Sequence, residues 1–191
     1  MLYTKAKMLV GIDEVGRGCW AGPLVAGAVV LGGPISGLKD SKKLTKKQRE
    51  ALTLEIQATA VAVGLGWVWP AELDAVGMTQ AVRLAMERAL AAVNINYDEV
   101  IIDGNIKYFV DNPKARAIIK ADDSVPAVSA ASIVAKVARD QYMVNLSEQY
   151  AGYGFEMHVG YGTAAHAAAL KLLGVSDIHR KSFKPIKVLL S

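Results

Sequence analysis

Met8-Leu9-Val10-Gly11-Ile12 runs straight into Asp13-Glu14-Val15-Gly16-Arg17-Gly18, so an apolar strand-like segment delivers two adjacent carboxylates into a glycine turn. Consecutive side chains on a strand face opposite ways. Asp13 and Glu14 are therefore expected to share one site only where extended geometry ends, and the glycines mark such an end. Two carboxylates side by side near a low-dielectric core are costly unless cations or hydrogen-bond donors compensate. A divalent metal would compensate. An ordinary hairpin with solvated acids at its rim fits these residues equally well, and further acids must decide between the two.

Outward from this stretch, Pro23-Leu24-Val25-Ala26-Gly27-Ala28-Val29-Val30-Leu31 reads as a second strand closed by Gly32-Gly33-Pro34, forming a hairpin with the first. Thr45 and Gln48 have capping-box spacing at the start of a helix continued by Leu52, Leu54 and Ile56. Residues 60–69 read as a buried strand, Pro70 opens a short helix through Leu73, and residues 78–93 form a strongly amphipathic helix. Strands follow at 99–103 and 116–120, then a loop over 121–128 and a long alanine-rich helix over 129–150. Residues 152–160 read as loop, and Thr163 caps a helix that runs to Leu173 and stops at Gly174. A hairpin followed by alternating strands and helices predicts an α/β fold with a mixed sheet and a helical C-terminal part.

With 191 residues and 52% hydrophobic composition, the chain can bury a full core as one domain over 1–191, with about 150–191 as a helical, basic extension. No apolar stretch reaches membrane-spanning length, and residues 1–7 lead into a strand and not a signal peptide, so a cytoplasmic protein is expected. The single cysteine, Cys19, excludes an internal disulfide framework and a thiolate metal cluster. The net charge of +4 hides a division. Residues 39–49 hold six bases against one acid and residues 180–187 four against none; the rest of the chain holds 12 bases against 17 acids. Two basic segments around an acidic body are what polyanion binding beside a carboxylate site requires.

The further acids exist. Asp103 closes the apolar run Val100-Ile101-Ile102 as Asp13 closes its own, and Asp122 follows Ile118-Ile119-Lys120 in the same manner, with Asp123 as its rival. Acids at the ends of neighbouring strands meet in the crevice beyond the sheet. Oxygen-only donors suit Mg²⁺, whereas three scattered histidines and one cysteine lack the ligand spacing of a zinc site.

Asp13-Glu14-Val15-Gly16-Arg17-Gly18, Asp40-Ser41-Lys42-Lys43-Leu44, Asp103-Gly104-Asn105 and Lys120-Ala121-Asp122 resemble, in order, the motifs of prokaryotic ribonuclease HII. So do Ser129-Ala130-Ala131-Ser132-Ile133-Val134-Ala135-Lys136-Val137 with Arg139-Asp140, Gly160-Tyr161-Gly162-Thr163 with His166, and His179-Arg180-Lys181-Ser182-Phe183. The resemblance spans nearly the whole chain. It implies a ribonuclease H-like mixed sheet flanked by helices. The implied enzyme cuts the RNA strand of RNA/DNA hybrids and incises 5′ to ribonucleotides embedded in duplex DNA, as a monomer. Asp13, Glu14, Asp103 and Asp122 are its implied ligands for two Mg²⁺ or Mn²⁺ ions.

Gly16 and Gly18 leave backbone groups bare for a 2′-hydroxyl while Arg17 reaches a phosphate, and Tyr161 resembles the family's tyrosine that packs on deoxyribose at an RNA-to-DNA junction. Lys42, Lys43, Arg180 and Lys181 are expected to grip phosphates. Ser129, Ser132 and Lys136 are expected to support their helix, with Lys136 able to face the site. Val159 stands where the family often has lysine, which weakens one expected backbone contact. Three rivals remain: a hybrid-binding module that does not cut, a metal-dependent DNA nuclease, and a hydrolase built on Cys19 with His158 or His166.

Overall fold

The computed structural model describes residues 7–109 and 111–190; the rest of the predicted N-terminal lead-in, residues 1–6, lies outside them. Five strands, β1 (Leu9–Val15), β2 (Leu24–Val30), β3 (Ala62–Val68), β4 (Glu99–Asp103) and β5 (Ala115–Ile118), form one sheet in the order β3-β2-β1-β4-β5. β1, β2 and β3 are antiparallel neighbours, while β4 and β5 continue from β1 in parallel. The helices are α1 (Lys46–Thr59), α2 (Pro70–Val76), α3 (Met78–Val93), α4 (Ala121–Ser124), α5 (Pro126–Gln149), α6 (Phe155–His158), α7 (Ala164–Leu173) and α8 (Lys184–Lys187).

The expected mixed sheet is present, and period-two alternation sends its residues to two cores. Val10, Ile12, Ala26 and Ala28 pack against α3, and Val29 packs against Ala130, Ala131 and Ile133 of α5. On the α5 face, Gly11 and Gly27 bring sheet backbone directly against helix backbone. A Cβ on Gly11 would sit 2.2 Å from the Ala127 carbonyl carbon, and one on Gly27 would sit 2.4 Å from the Ala131 carbonyl oxygen. No side chain separates the two layers there. A third cluster, with Met143, Phe155, Leu170 and Ile186 at its centre, ties α6, α7 and α8 to the far end of α5.

Three local readings need correction. The 121–128 segment is not a loop: Lys120, in the left-handed conformation at φ 58°, ends β5 early and starts α4, and α5 begins at Pro126. Proline favours a first helical position because it lacks the N–H that would go unbonded there. Residues 152–160 contain α6. Strand β1 also does not end at Asp13; it continues to Val15, with Asp13 opposite Gly27 and Glu14 opposite Ala26. What stops is the parallel ladder to β4, whose last pair is Ile12 and Ile102.

Candidate active site

Where that ladder stops, the sheet opens into a cavity of about 540 Å³ lined by Asp13, Glu14, Asp103 and Asp122 together. Asp13 and Asp103 reach it from the two central parallel strands and Asp122 from the first turn of α4. Glu14 has the opposite strand parity to Asp13, yet it lines the same space because the β4 side of β1 is unpaired beside it. Asp123, the rival of Asp122, turns away: both its oxygens accept from Lys43 Nζ, at 2.7 and 2.6 Å. The Gly16-Arg17-Gly18 turn, Ser41, Lys42 and Tyr161 complete the rim. A larger open groove, lined by Leu90, Tyr97, Phe109 and Pro113, gathers none of these residues.

Electrostatics mark the cavity as short of positive charge. Burial first, then Glu14 and Asp103, push the Asp13 carboxyl well above its ordinary range, against the pull of a Ser132 hydrogen bond. Burial also raises Glu14, assisted by Asp103 and opposed by Arg17, and it raises Asp122 with help from Asp103 and Asp40. Hard divalent cations bound through oxygen would relieve this strain, so the donor set fits Mg²⁺ or Mn²⁺. Among the described residues no group of three such side chains is preassembled as a metal cage. Asp13 and Asp103 each turn one oxygen to a backbone N–H, of Glu14 and Ala121, both at 2.8 Å.

Several contributors were under-read in the sequence. Lys136 lines the cavity, as the sequence allowed, and Ser132, expected only to support α5, lines it too; Ser132 also meets Ser41 Oγ at 3.0 Å, which ties the Asp40-Ser41-Lys42-Lys43 turn to the helix. Arg180 departs from its expected role. It is fully buried, donating from Nε to the Gly22 carbonyl and from Nη1 to the Arg17 carbonyl, so it reaches no phosphate. Burial pulls its pKa down to about 10, leaving it charged at neutral pH. Lys42 and Lys181 are exposed, as a phosphate contact requires. Cys19 is buried and its thiol is pushed up by that burial, while both ring nitrogens of His158 and of His166 are engaged with other partners, which counts against the cysteine hydrolase.

The three histidines, distant in sequence, meet in the C-terminal core. His179 Nε2 lies 3.0 Å from His166 Nε2, and His166 and His158 stack with ring centroids 4.5 Å apart. Their partners assign the protons. His158 donates from Nε2 to the Tyr153 carbonyl, and His166 donates from Nδ1 to the Tyr161 carbonyl. His179 Nδ1 accepts the Ser176 N–H, so His179 donates from Nε2 to His166. All three rings are satisfied when neutral. Burial, then His166, holds His179 down at about 4, and burial lowers His166.

A folded pKa below the unfolded 6.5 means that the unfolded chain takes the proton first. The neutral ring's contribution is full above pH 6.5 and is lost as pH falls toward 4, by up to about 3 kcal/mol at about 1.4 kcal/mol per unit. The raised Asp13 and Glu14 act in the opposite sense, so a melting curve mixes both effects. Ring titration by NMR separates them. His179 is expected to titrate near pH 4, and an inflection near 6.5 would show that the ring is not held in this network.

Acids from two central parallel strands and from the helix after β5, gathered at one end of a β3-β2-β1-β4-β5 sheet beside a glycine turn, define a nuclease of the ribonuclease H-like fold. The family model for ribonuclease HII matches residues 10–186, and the chain belongs to that family, whose members are divalent-metal-dependent hydrolases. The chain is 52% identical over 181 residues to Ribonuclease HII of Nitrosococcus oceani, covering 94% of this chain and 90% of that one. It superposes on the crystal structure of ribonuclease H2 from Pyrococcus horikoshii OT3 with a TM-score of 0.79 and 28% identity, over 95% and 96% of the two chains. The fold also matches Bst-RNase HIII in complex with Mn²⁺, at a TM-score of 0.72 and 22% identity over 98% of this chain and 70% of that one. Among the described residues no helix is long and apolar enough to cross a membrane.

Proposed function

We propose that this protein hydrolyses the RNA strand of RNA/DNA hybrids and incises 5′ to ribonucleotides embedded in duplex DNA, leaving 3′-hydroxyl and 5′-phosphate ends. The observation that carries this reading is the meeting, in one cavity, of four acids with a glycine-flanked arginine and a glycine-flanked tyrosine. Asp13, Glu14, Asp103 and Asp122 would hold two Mg²⁺ or Mn²⁺ ions. When bound, such ions would activate a water and stabilise the departing 3′ oxygen of the nucleotide on the 5′ side of the cut. Water oxygen joins phosphorus, the P–O3′ bond breaks, and the 3′ oxygen ends protonated.

The chain's other residues place the strand. Gly16, at φ 88°, holds a conformation that side chains rarely adopt, and a Cβ there would sit 2.3 Å from Arg139 Nε. The turn thereby offers bare backbone to the 2′-hydroxyl, the group that distinguishes RNA from DNA. Tyr161 is 36% exposed, enough to present its ring to a sugar, and Lys136 Nζ stands 5.3 Å from its centroid. Lys42, Lys181 and Arg17 would meet phosphates, and Lys43 would exchange Asp123 for one.

Incubating the enzyme and Mg²⁺ or Mn²⁺ with a DNA duplex carrying one ribonucleotide, and mapping the new ends, tests the reading. Incision immediately 5′ to the ribonucleotide is expected. An intact strand at high enzyme concentration would instead indicate a binding module, and cleavage of an all-DNA control would indicate a DNA nuclease. In the same assay Tyr161→Ala is expected to lower kcat/KM on the single-ribonucleotide duplex about tenfold, equivalent to about 1.4 kcal/mol. Long hybrids should suffer less, and equal losses on both substrates would refute the junction role.

A further inference from the structure

Neither His179 nor Arg180 can touch a substrate, because they are 1% and 0% exposed. Both are nevertheless wired to the rim of the cavity. The segment that carries them joins Ala21 through an antiparallel bridge to His179, with Gly22 N donating to the Ile178 carbonyl at 2.9 Å and Arg180 N to the Trp20 carbonyl at 2.8 Å. From this bridge the two side chains diverge. Arg180 Nη1 donates to the Arg17 carbonyl at 3.1 Å, inside the glycine turn. His179 donates to His166, which donates to the Tyr161 carbonyl at 2.9 Å. Trp20 N, donating to the Gly160 carbonyl at 2.8 Å, closes the circuit between the turn and the tyrosine loop.

We infer that His179 and Arg180 are positioning residues that fix the spacing between the Gly16-Arg17-Gly18 turn and Tyr161, and so set the preference for a lone ribonucleotide at a junction. The inference rests on the substrate reading proposed above. Recognition of one ribonucleotide requires the turn and the tyrosine to sit one sugar apart, whereas a continuous RNA strand presents a 2′-hydroxyl at every step. The chemistry of the strap argues for a geometric demand. Arg180 is buried with no carboxylate partner and spends its donors on backbone carbonyls, and its Nη2 has no hydrogen-bond partner at all. A buried charge of this kind is often less stable than a well-packed apolar residue, but no apolar residue holds two carbonyls in a planar fork. The imidazole pair has a single satisfied proton arrangement, which gives the link to Tyr161 one direction and one length.

The test measures kcat and KM for His179→Leu, His179→Gln and Arg180→Lys on a single-ribonucleotide duplex and on a long RNA/DNA hybrid, at temperatures where circular dichroism shows each variant folded. His179→Leu and Arg180→Lys are expected to lower the ratio of kcat/KM between the two substrates about tenfold, through kcat, because the Lys42 and Lys43 side chains that would hold the duplex lie outside the strap and are untouched. His179→Gln keeps an N–H at the Nε2 position and is expected to restore the ratio to within threefold. If the folded variants lose activity equally on both substrates, or if glutamine rescues no better than leucine, the residues are merely structural and the inference falls.

Combining His179→Leu with Tyr161→Ala separates this outcome from failure of the substrate reading. A histidine acting through Tyr161 adds nothing once the ring is gone, so the double variant should match Tyr161→Ala. Additive losses overturn the inference. If Tyr161→Ala itself falls equally on both substrates, it is the junction reading that fails, and additivity measured on the hybrid still decides the strap.

Discussion

Asp103→Asn and Asp13→Asn are each expected to lower cleavage by about 10³-fold or more while leaving duplex affinity within a few-fold of wild type. Asparagine keeps the size and one oxygen of the side chain, so packing at the ends of β4 and β1 survives. What it removes is the negative charge that offsets bound cations. Metal ions contribute several kcal/mol to phosphoryl-group hydrolysis, and each 1.36 kcal/mol is a factor of ten in rate. In the proposed reading the grip on the duplex comes from Lys42, Lys181 and the glycine turn, whose side chains neither substitution alters. Gel-shift affinity beside single-turnover cleavage checks both halves. Retention of a tenth of wild-type rate by either variant would exclude that acid from the metal set.

The second large effect falls on stability. Gly27→Ala places a methyl 2.4 Å from the Ala131 carbonyl oxygen, where there is only helix backbone to yield. Overpacking against backbone costs about 3 kcal/mol, at the upper end of its usual range, and for a chain of this length that lowers Tm by about 10 °C. The displacement would also be felt at Ser132, the next residue of α5, which lines the cavity and meets Ser41 Oγ. Gly33→Ala is the control, since nothing lies within 4 Å of its Cβ. A Tm for Gly27→Ala within 2 °C of that control would contradict the close helix-to-sheet contact.

Elements whose stability is local were legible in the sequence. Helix α1 announces its start through the Thr45 and Gln48 capping box, and α3 spans Met78–Val93 because its apolar period is strong and Gly77 and Asn94 bound it. Strands β1 and β4 show their carboxylates at the C-terminal side of apolar runs, which made Asp13 and Asp103 visible. The start of α5 was misread because residues 127–135 are buried with no polar face to reveal a helical period. Acids and a proline in front of such a stretch mimic a loop. Arg180 sits among lysines and reads as one more surface cation; its burial is a property of the tertiary fold. The histidine cluster has the same origin, since residues 158, 166 and 179 meet only after α7 folds back on α6.

The bridge between Ala21 and His179 also orders events during synthesis. Every carboxylate of the cavity precedes residue 123, so the sheet and its acids can assemble while the C-terminal region is still unmade. The segment inferred to set substrate preference is made later. Until Ile178, His179 and Arg180 have left the ribosome, the turn at Arg17 lacks its Arg180 contact and the Tyr161 carbonyl its link through His166 to His179. On the proposed reading, the residues that would hold ions are translated first and those that would set the choice among nucleic acids come last.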